Sequence, residues 1–248
     1  MIMKRFFLFS IAGLLSSLFL TQKSMAQEAT TPKPPESKPT NYEKDIAAWE
    51  ERDKTQVAGE TSILFLGSSS IRRWTTMPTD MAPWPTVGRG YGGAKFSDLV
   101  VYAPRLLKAH HPRAVVIYVG NDITGNAQDK KPEEVVRLFS IVVDAVKAQA
   151  PKAEIFLIAI TPSPSRFKAW PEIQVANHQL NEFCQRDPKL HFIVTHPSYL
   201  TADGQPRPEL YVQDQLHQNE DGYKKWSGLI RKELERVLGE PIPKGLTQ

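Results

Sequence analysis

The 248 residues are 41% hydrophobic and 23% charged, the balance of a soluble globular chain with one sizeable core. The formal charge is +4, but Lys4, Arg5 and Lys23 precede every acidic residue; without them 28 basic residues face 27 acidic ones, or +1, and no Lys/Arg block points to nucleic acid. The single cysteine, Cys184, excludes an intramolecular disulfide and any zinc site built on paired cysteines.

In chain order, residues 1–26 follow the grammar of a secretory signal peptide. Lys4-Arg5 supplies the positive start, Phe6 to Leu20 the apolar stretch, and Ser24-Met25-Ala26 the small residues before a cut after Ala26. The apolar run is short for ~30 Å of hydrocarbon. The mature protein is therefore expected to be exported, periplasmic or secreted, and not membrane-spanning. Residues 27–41, rich in Thr, Pro, Lys and Glu, predict a flexible leader. Tyr42 to Lys54 predicts a short amphipathic helix. A domain over 42–240 and a tail over 241–248 complete the expected organisation.

Ser62 to Leu66 is an apolar run that ends in Gly67-Ser68-Ser69-Ser70, the pattern of a buried strand breaking into a turn. A connection with Pro78, Pro83 and Pro85 follows, then a short strand at Thr86-Val87 running into Gly88, Gly90, Gly92 and Gly93. Phe96 to His110 has helical spacing and is expected to be interrupted at Pro104. Ala114 to Val119 predicts a second strong strand, ending in Gly120-Asn121-Asp122. Pro132, Glu133 and Glu134 open a helix expected to reach Gln149. Ile155 to Ile160 predicts another strand, and Thr161 to Ser165 a loop. Glu172 to Gln185 reads as helix with Cys184 packed on its apolar face. His191 to Val194 predicts a last strand, and Glu220 to Leu238 a closing helix. Strands alternating with helices imply an α/β fold. About five parallel strands suit a single-domain, flavodoxin-like three-layer sandwich.

In such a sheet the loops after the strands gather on one edge. Ser69, Gly93 and Asn121 follow three early strands, and Asp214-Gln215-Leu216-His217 lies just before the final helix. These parts suit acyl transfer. Serine needs a base to take its proton, His217 can serve, and Asp214 can fix the imidazole tautomer. The backbone N–H groups of Ser69 and Gly93 and the Asn121 amide are candidate oxyanion donors. This chemistry needs no cofactor.

The same residues resemble the blocks of the SGNH hydrolases, also called the GDSL esterase/lipase family. Gly67-Ser68-Ser69-Ser70-Ile71 is similar to the branch that writes Gly-Ser-Ser-Ser-Ile in its first block. The resemblance implies Ser69 as nucleophile, Gly93 and Asn121 as oxyanion donors, and Asp214 and His217 as the other triad members. It covers roughly Ile63 to Leu238. Ser68 stands where the usual first block has aspartate, and either Val119 stands where the third block has its first glycine or the loop is one residue shorter. The second departure bears directly on where Asn121 sits.

Three other readings compete. Gly88-x-Gly90-x-x-Gly93 formally matches a dinucleotide fingerprint, but about 20 residues on it meets Lys108, His110 and His111 rather than an acid. A metal site could draw on Asp214, His217, His196 and His191, although none of these has a zinc-binding spacing. A catalytically silent carbohydrate- or envelope-binding protein could use the same scaffold. For a hydrolase, the resemblance allows acetylated sugars, lysophospholipids or other small esters. The loop Thr161 to Lys168 and Trp170 are the candidate substrate-lining residues. Arg72, Arg73 and Trp74 are expected to serve ion pairing and packing. The oligomeric state is not legible.

Overall fold

The computed structural model describes residues 42–241. The expected signal peptide, the leader and all but the first residue of the tail lie outside them. In chain order the elements are α1 (Glu43–Arg52), β1 (Ile63–Gly67), α2 (Ser69–Arg73), α3 (Met77–Asp80), β2 (Thr86–Gly90), α4 (Phe96–Leu107), β3 (Ala114–Tyr118), α5 (Pro132–Gln149), β4 (Glu154–Ile158), α6 (Trp170–Cys184), β5 (Leu190–Ile193), α7 (His196–Tyr199) and α8 (Glu220–Leu238). A 3-10 turn, Pro164–Ala169, leads into α6.

The five strands form one parallel sheet in the order β2-β1-β3-β4-β5. This is the flavodoxin-like order, with its switch point between β1 and β3. β1 lies between two neighbours and is buried at every position, which explains its continuous apolar run. The period of two then divides its side chains between two cores. Leu64 and Leu66 join Val115, Ile117, Ile155 and Leu157 under α1, α4, α5 and α6. Ile63 and Phe65 join Val116, Phe156 and Ile158 under α2, α3 and α8. Helices thus cover both faces.

Close approach at the β1 end requires glycine. Gly67 has φ +154°, and a Cβ there would lie 2.0 Å from the Tyr118 carbonyl oxygen. The chain then turns so that the Ser68 N–H donates to that same oxygen at 3.1 Å. The neighbouring Gly90 faces the Arg72 nitrogen, 2.5 Å from where its Cβ would sit. Both sites let β1 and β2 end close against α2.

One helix differs from its expectation. α4 runs unbroken through Pro104. The proline removes one hydrogen bond, to Val100. Yet Leu99, Val100, Ala103, Leu106 and Leu107 are all buried, so packing on both sides of Pro104 holds the helix together. α5 has the expected bounds, with Pro132 in its first turn. α8 begins at Asn219, whose Oδ1 accepts from the Gly222 N–H at 3.0 Å. Cys184 is buried in the core, and burial pushes its thiol up to about 12, leaving an inert packing group. Among the described residues no helix is long and apolar enough to cross a membrane.

Candidate active site

Ser69 is the first residue of α2, directly after the β1 turn. Its backbone N–H belongs to the first turn of a helix and so has no intrahelical acceptor. α2 is braced by α8: the Tyr223 hydroxyl donates to the Ser70 carbonyl at 2.9 Å, and its ring stacks on Trp74 at 5.3 Å. Trp74 is buried, as its packing reading requires.

His217 arrives from the other end of the chain in a closed turn. Tyr211 and Gln218 pair as an antiparallel bridge. The Val212 N–H donates to the His217 carbonyl, and the Gln215 N–H to the Val212 carbonyl. Gln215 makes the reversal with φ +54°. Asp214 organises the turn from within, because its Oδ1 accepts the N–H groups of Leu216 at 2.9 Å and His217 at 2.8 Å. Its Oδ2 lies 2.7 Å from His217 Nδ1, and His217 Nε2 lies 2.8 Å from Ser69 Oγ. A carboxylate only accepts, so the proton sits on Nδ1 and Nε2 is free to accept the serine O–H.

Burial works to raise the Asp214 pKa. The hydrogen bonds from His217 and Leu216 and the attraction of the imidazole outweigh it, and the carboxyl falls from 3.8 to about 2. Arg73 Nη1 stands 3.5 Å from Oδ2. The Asp214 side chain is 41% exposed and that of His217 13%. The relay therefore runs from the surface inward.

The other side of Ser69 is a cavity of about 20 Å³. Ser69, His217, Asn121 and Arg166 give it a polar wall, and Ile160 and Ile173 line it further. Such a space holds about one water. Val119 in place of the usual glycine has not removed Asn121 from it. The Asn121 amide is held at both ends: Nδ2 donates to the Ala94 carbonyl at 2.8 Å, and Oδ1 accepts from Arg166 Nη2 at 2.8 Å. The following Asp122 is buried and ties this loop to α4, its Oδ2 accepting from the Phe96 N–H at 2.9 Å while Lys130 sits 2.8 Å from Oδ1.

Gly93 is exposed with φ +77° and does not line the cavity, although its neighbour Ala94 holds Asn121. Trp170 does not line it either. It is 7% exposed, packs in the core and approaches the His196 ring at 6.2 Å, while Ile173 takes the cavity position one turn later. In the loop before it, Thr161, Ser163 and Arg166 reach the cavity. Arg166 belongs to the loop expected to line the site, but nothing marked it out within that loop. Of the metal reading's residues, Asp214 and His217 meet, while His191 bonds Glu154 at 2.7 Å, and among the described residues no group of three His, Cys, Asp or Glu side chains is placed to hold a metal ion.

The family model for GDSL-like lipases and acylhydrolases matches residues 55–225. The chain belongs to that family. As a GDSL-like acylhydrolase it is a carboxylic ester hydrolase. Solved structures share the fold at low identity. A Streptococcus pneumonia protein assigned as a platelet activating factor is 20% identical with a TM-score of 0.69, over 77% of this chain and 92% of that one. A GDSL-like lipase from Bacteroides thetaiotaomicron is 19% identical, TM-score 0.63, over 77% and 98%. A carbohydrate acetylesterase from Sinorhizobium meliloti is 16% identical, TM-score 0.55, over 71% and 99%. No curated protein matches the chain significantly.

Proposed function

We propose that this GDSL-like acylhydrolase is an exported serine esterase that removes short acyl groups through an acyl-Ser69 intermediate. Its first block, Gly67-Ser68-Ser69-Ser70-Ile71, supports membership of the Gly-Ser-Ser-Ser-Ile branch. The observation that carries the reading is the continuous chain Ser69 Oγ, His217 Nε2, His217 Nδ1, Asp214 Oδ2, with links of 2.8 and 2.7 Å. His217 takes the serine proton as Oγ attacks the ester carbonyl. Asp214 stabilises the imidazolium that forms. The Ser69 N–H and the Asn121 amide, which line the cavity, are the proposed donors to the oxyanion; Gly93, exposed and outside that lining, is not counted among them. The same proton then passes to the leaving alcohol. A water, deprotonated by His217, releases the acid and restores Ser69.

The small cavity favours an acetyl-sized acyl group. A long acyl chain would have to run outside it, so short acyl groups are the proposed substrates. The Sinorhizobium neighbour is itself a carbohydrate acetylesterase. Export rests on the N-terminal grammar. Recovered mature protein should begin at Gln27, which N-terminal sequencing checks.

The test of the chemistry uses p-nitrophenyl esters of increasing chain length with wild type and the Ser69→Ala and His217→Ala variants. Acetate should be cleaved fastest. Either variant should lose about 10⁶ in kcat, down to a residue set by binding and the oxyanion donors. A wild type that neither hydrolyses these esters nor is labelled by a serine-directed organophosphate, yet binds acetylated glycans, would make the chain a silent binding module.

A further inference from the structure

Arg166 is a substantially buried cation that no carboxylate pairs with among the described residues. Its two identified bonds go to neutral groups: Nη1 to the Gly120 carbonyl at 2.5 Å and Nη2 to Asn121 Oδ1 at 2.8 Å. Both partners sit side by side in the loop that follows β3, and Arg166 lines the same cavity as Ser69. Burial lowers its pKa, while Tyr118 and Asp129 attract the charge from farther off. A guanidinium stays protonated even so.

The choice of arginine has a geometric consequence. A guanidinium only donates, so the Asn121 group facing it must be the amide oxygen. A carbonyl only accepts, so the group facing Ala94 must be the amide nitrogen. The two contacts fix the amide in one of its two flips. That nitrogen carries two protons and Ala94 takes one. Donation into Oδ1 also draws electron density out of the amide and strengthens its N–H as a donor. The fork bonds the backbone of one residue and the side chain of the next, which a lysine ammonium cannot match in direction.

We propose that Arg166 is the positioning residue of the oxyanion site: it holds Asn121 with its N–H toward the reacting carbonyl and acts on the transition state through that amide. The transient oxyanion is then the counter-charge that this buried cation lacks in the resting enzyme. The inference rests on the acyl-Ser69 reading above.

The experiment compares Arg166→Met, Arg166→Lys, Asn121→Ala and the double variant Asn121→Ala/Arg166→Met on p-nitrophenyl acetate. Arg166→Met should lower kcat by about 10- to 100-fold with KM nearly unchanged, since the contact strengthens only with transition-state charge. Arg166→Lys should recover part of that loss. In the Asn121→Ala background the same change should have little further effect, because two groups acting as one unit are not additive. A full, additive loss in that background overturns the proposal. So does a change confined to KM for carboxylate-bearing esters, which would make Arg166 a substrate-anion contact. The Asn121 side-chain amide resonance in ¹⁵N NMR needs no turnover. It should shift and exchange faster in Arg166→Lys, and an unmoved resonance overturns the proposal even where the methionine variant does not fold. Organophosphate labelling of Ser69 in wild type separates failure of this inference from failure of the esterase reading.

Discussion

The two sides of Ser69 are built in opposite ways. On the relay side, Asp214 and His217 belong to one four-residue turn, and most of its bonds are internal. On the other side, Asn121 is held by Ala94, 27 residues earlier, and by Arg166, 45 residues later. The relay turn is partly exposed; the Asn121 side is enclosed by the sheet and the loop before α6. A proton relay can sit at the surface because its groups exchange protons with one another and finally with water. Donors to a developing oxyanion gain from low dielectric and must not reorganise. Local turn chemistry suffices for the first, whereas the second needs parts of the fold that meet only after the sheet closes.

The sharpest way to break this contrast is Asp214→Asn. The retained Oδ1 still accepts both backbone N–H groups, so the turn should keep its shape. The new amide would donate toward Nδ1, moving the imidazole proton to Nε2, where it faces the serine oxygen. A loss of about 10⁴ in kcat is expected, with KM little changed. The same variant has a pH signature. The folded carboxyl sits near 2 rather than 3.8, so it favours the charged form on folding. That contribution to stability is present above pH about 4 and disappears as pH falls through about 2. The difference in melting temperature between wild type and Asp214→Asn should therefore be constant above pH 4 and shrink below it. A difference that keeps growing toward pH 2 would mean that the turn is held by something other than the carboxylate.

On the opposite side, Asn121→Ala should cost about 10²–10³ in kcat, the usual effect of one oxyanion donor. The melting temperature should fall too, since the Arg166 and Ala94 groups lose a partner inside the fold. Steady-state kinetics beside a thermal melt reads both. The contrast fails if kcat is unchanged, for then Asn121 would serve the architecture alone.

The same contrast explains what could be read before folding. Asp-x-x-His was legible because its geometry is contained in four consecutive residues. The strands were legible because burial on both faces imposes continuous apolar runs, as in Ile63 to Leu66. The order of the sheet followed from the alternation of strand and helix. The loop carrying Arg166 was legible as a lining segment, but the role of Arg166 within it was not. Arg166 lies in a Pro/Ser loop with no periodicity, and its partners are defined by position across the sheet edge. Trp170 stayed open for a related reason: an aromatic after a strand looks the same whether it faces a pocket or a core, and here a helix begins at it and turns it inward. Pro104 was read by its local rule, which tertiary packing overrode.

The smallest expected effect concerns the outer support of the Gly90–Gly93 segment. Trp49 in α1 donates from Nε1 to the Gly90 carbonyl at 3.1 Å, and the Arg89 guanidinium lies 5.1 Å over its ring. Arg89 is fully buried and paired with Asp53, so α1 is locked to the end of β2 by both hydrogen bond and charge. Trp49→Phe keeps an aromatic face for Arg89 and removes only the bond to Gly90. About 0.5–1.5 kcal/mol should be lost, a fall of roughly 1–6 °C in melting temperature for a chain of this size. Activity at 25 °C should barely change, because Gly90 is one residue beyond Arg89 and remains held by β1 pairing. A fall in kcat beyond about tenfold at an unchanged melting temperature would carry more than that single bond can supply. It would place α1 among the parts that hold the segment leading to Ala94 and, through its carbonyl, Asn121, and would give the enclosed side of Ser69 one more distant support.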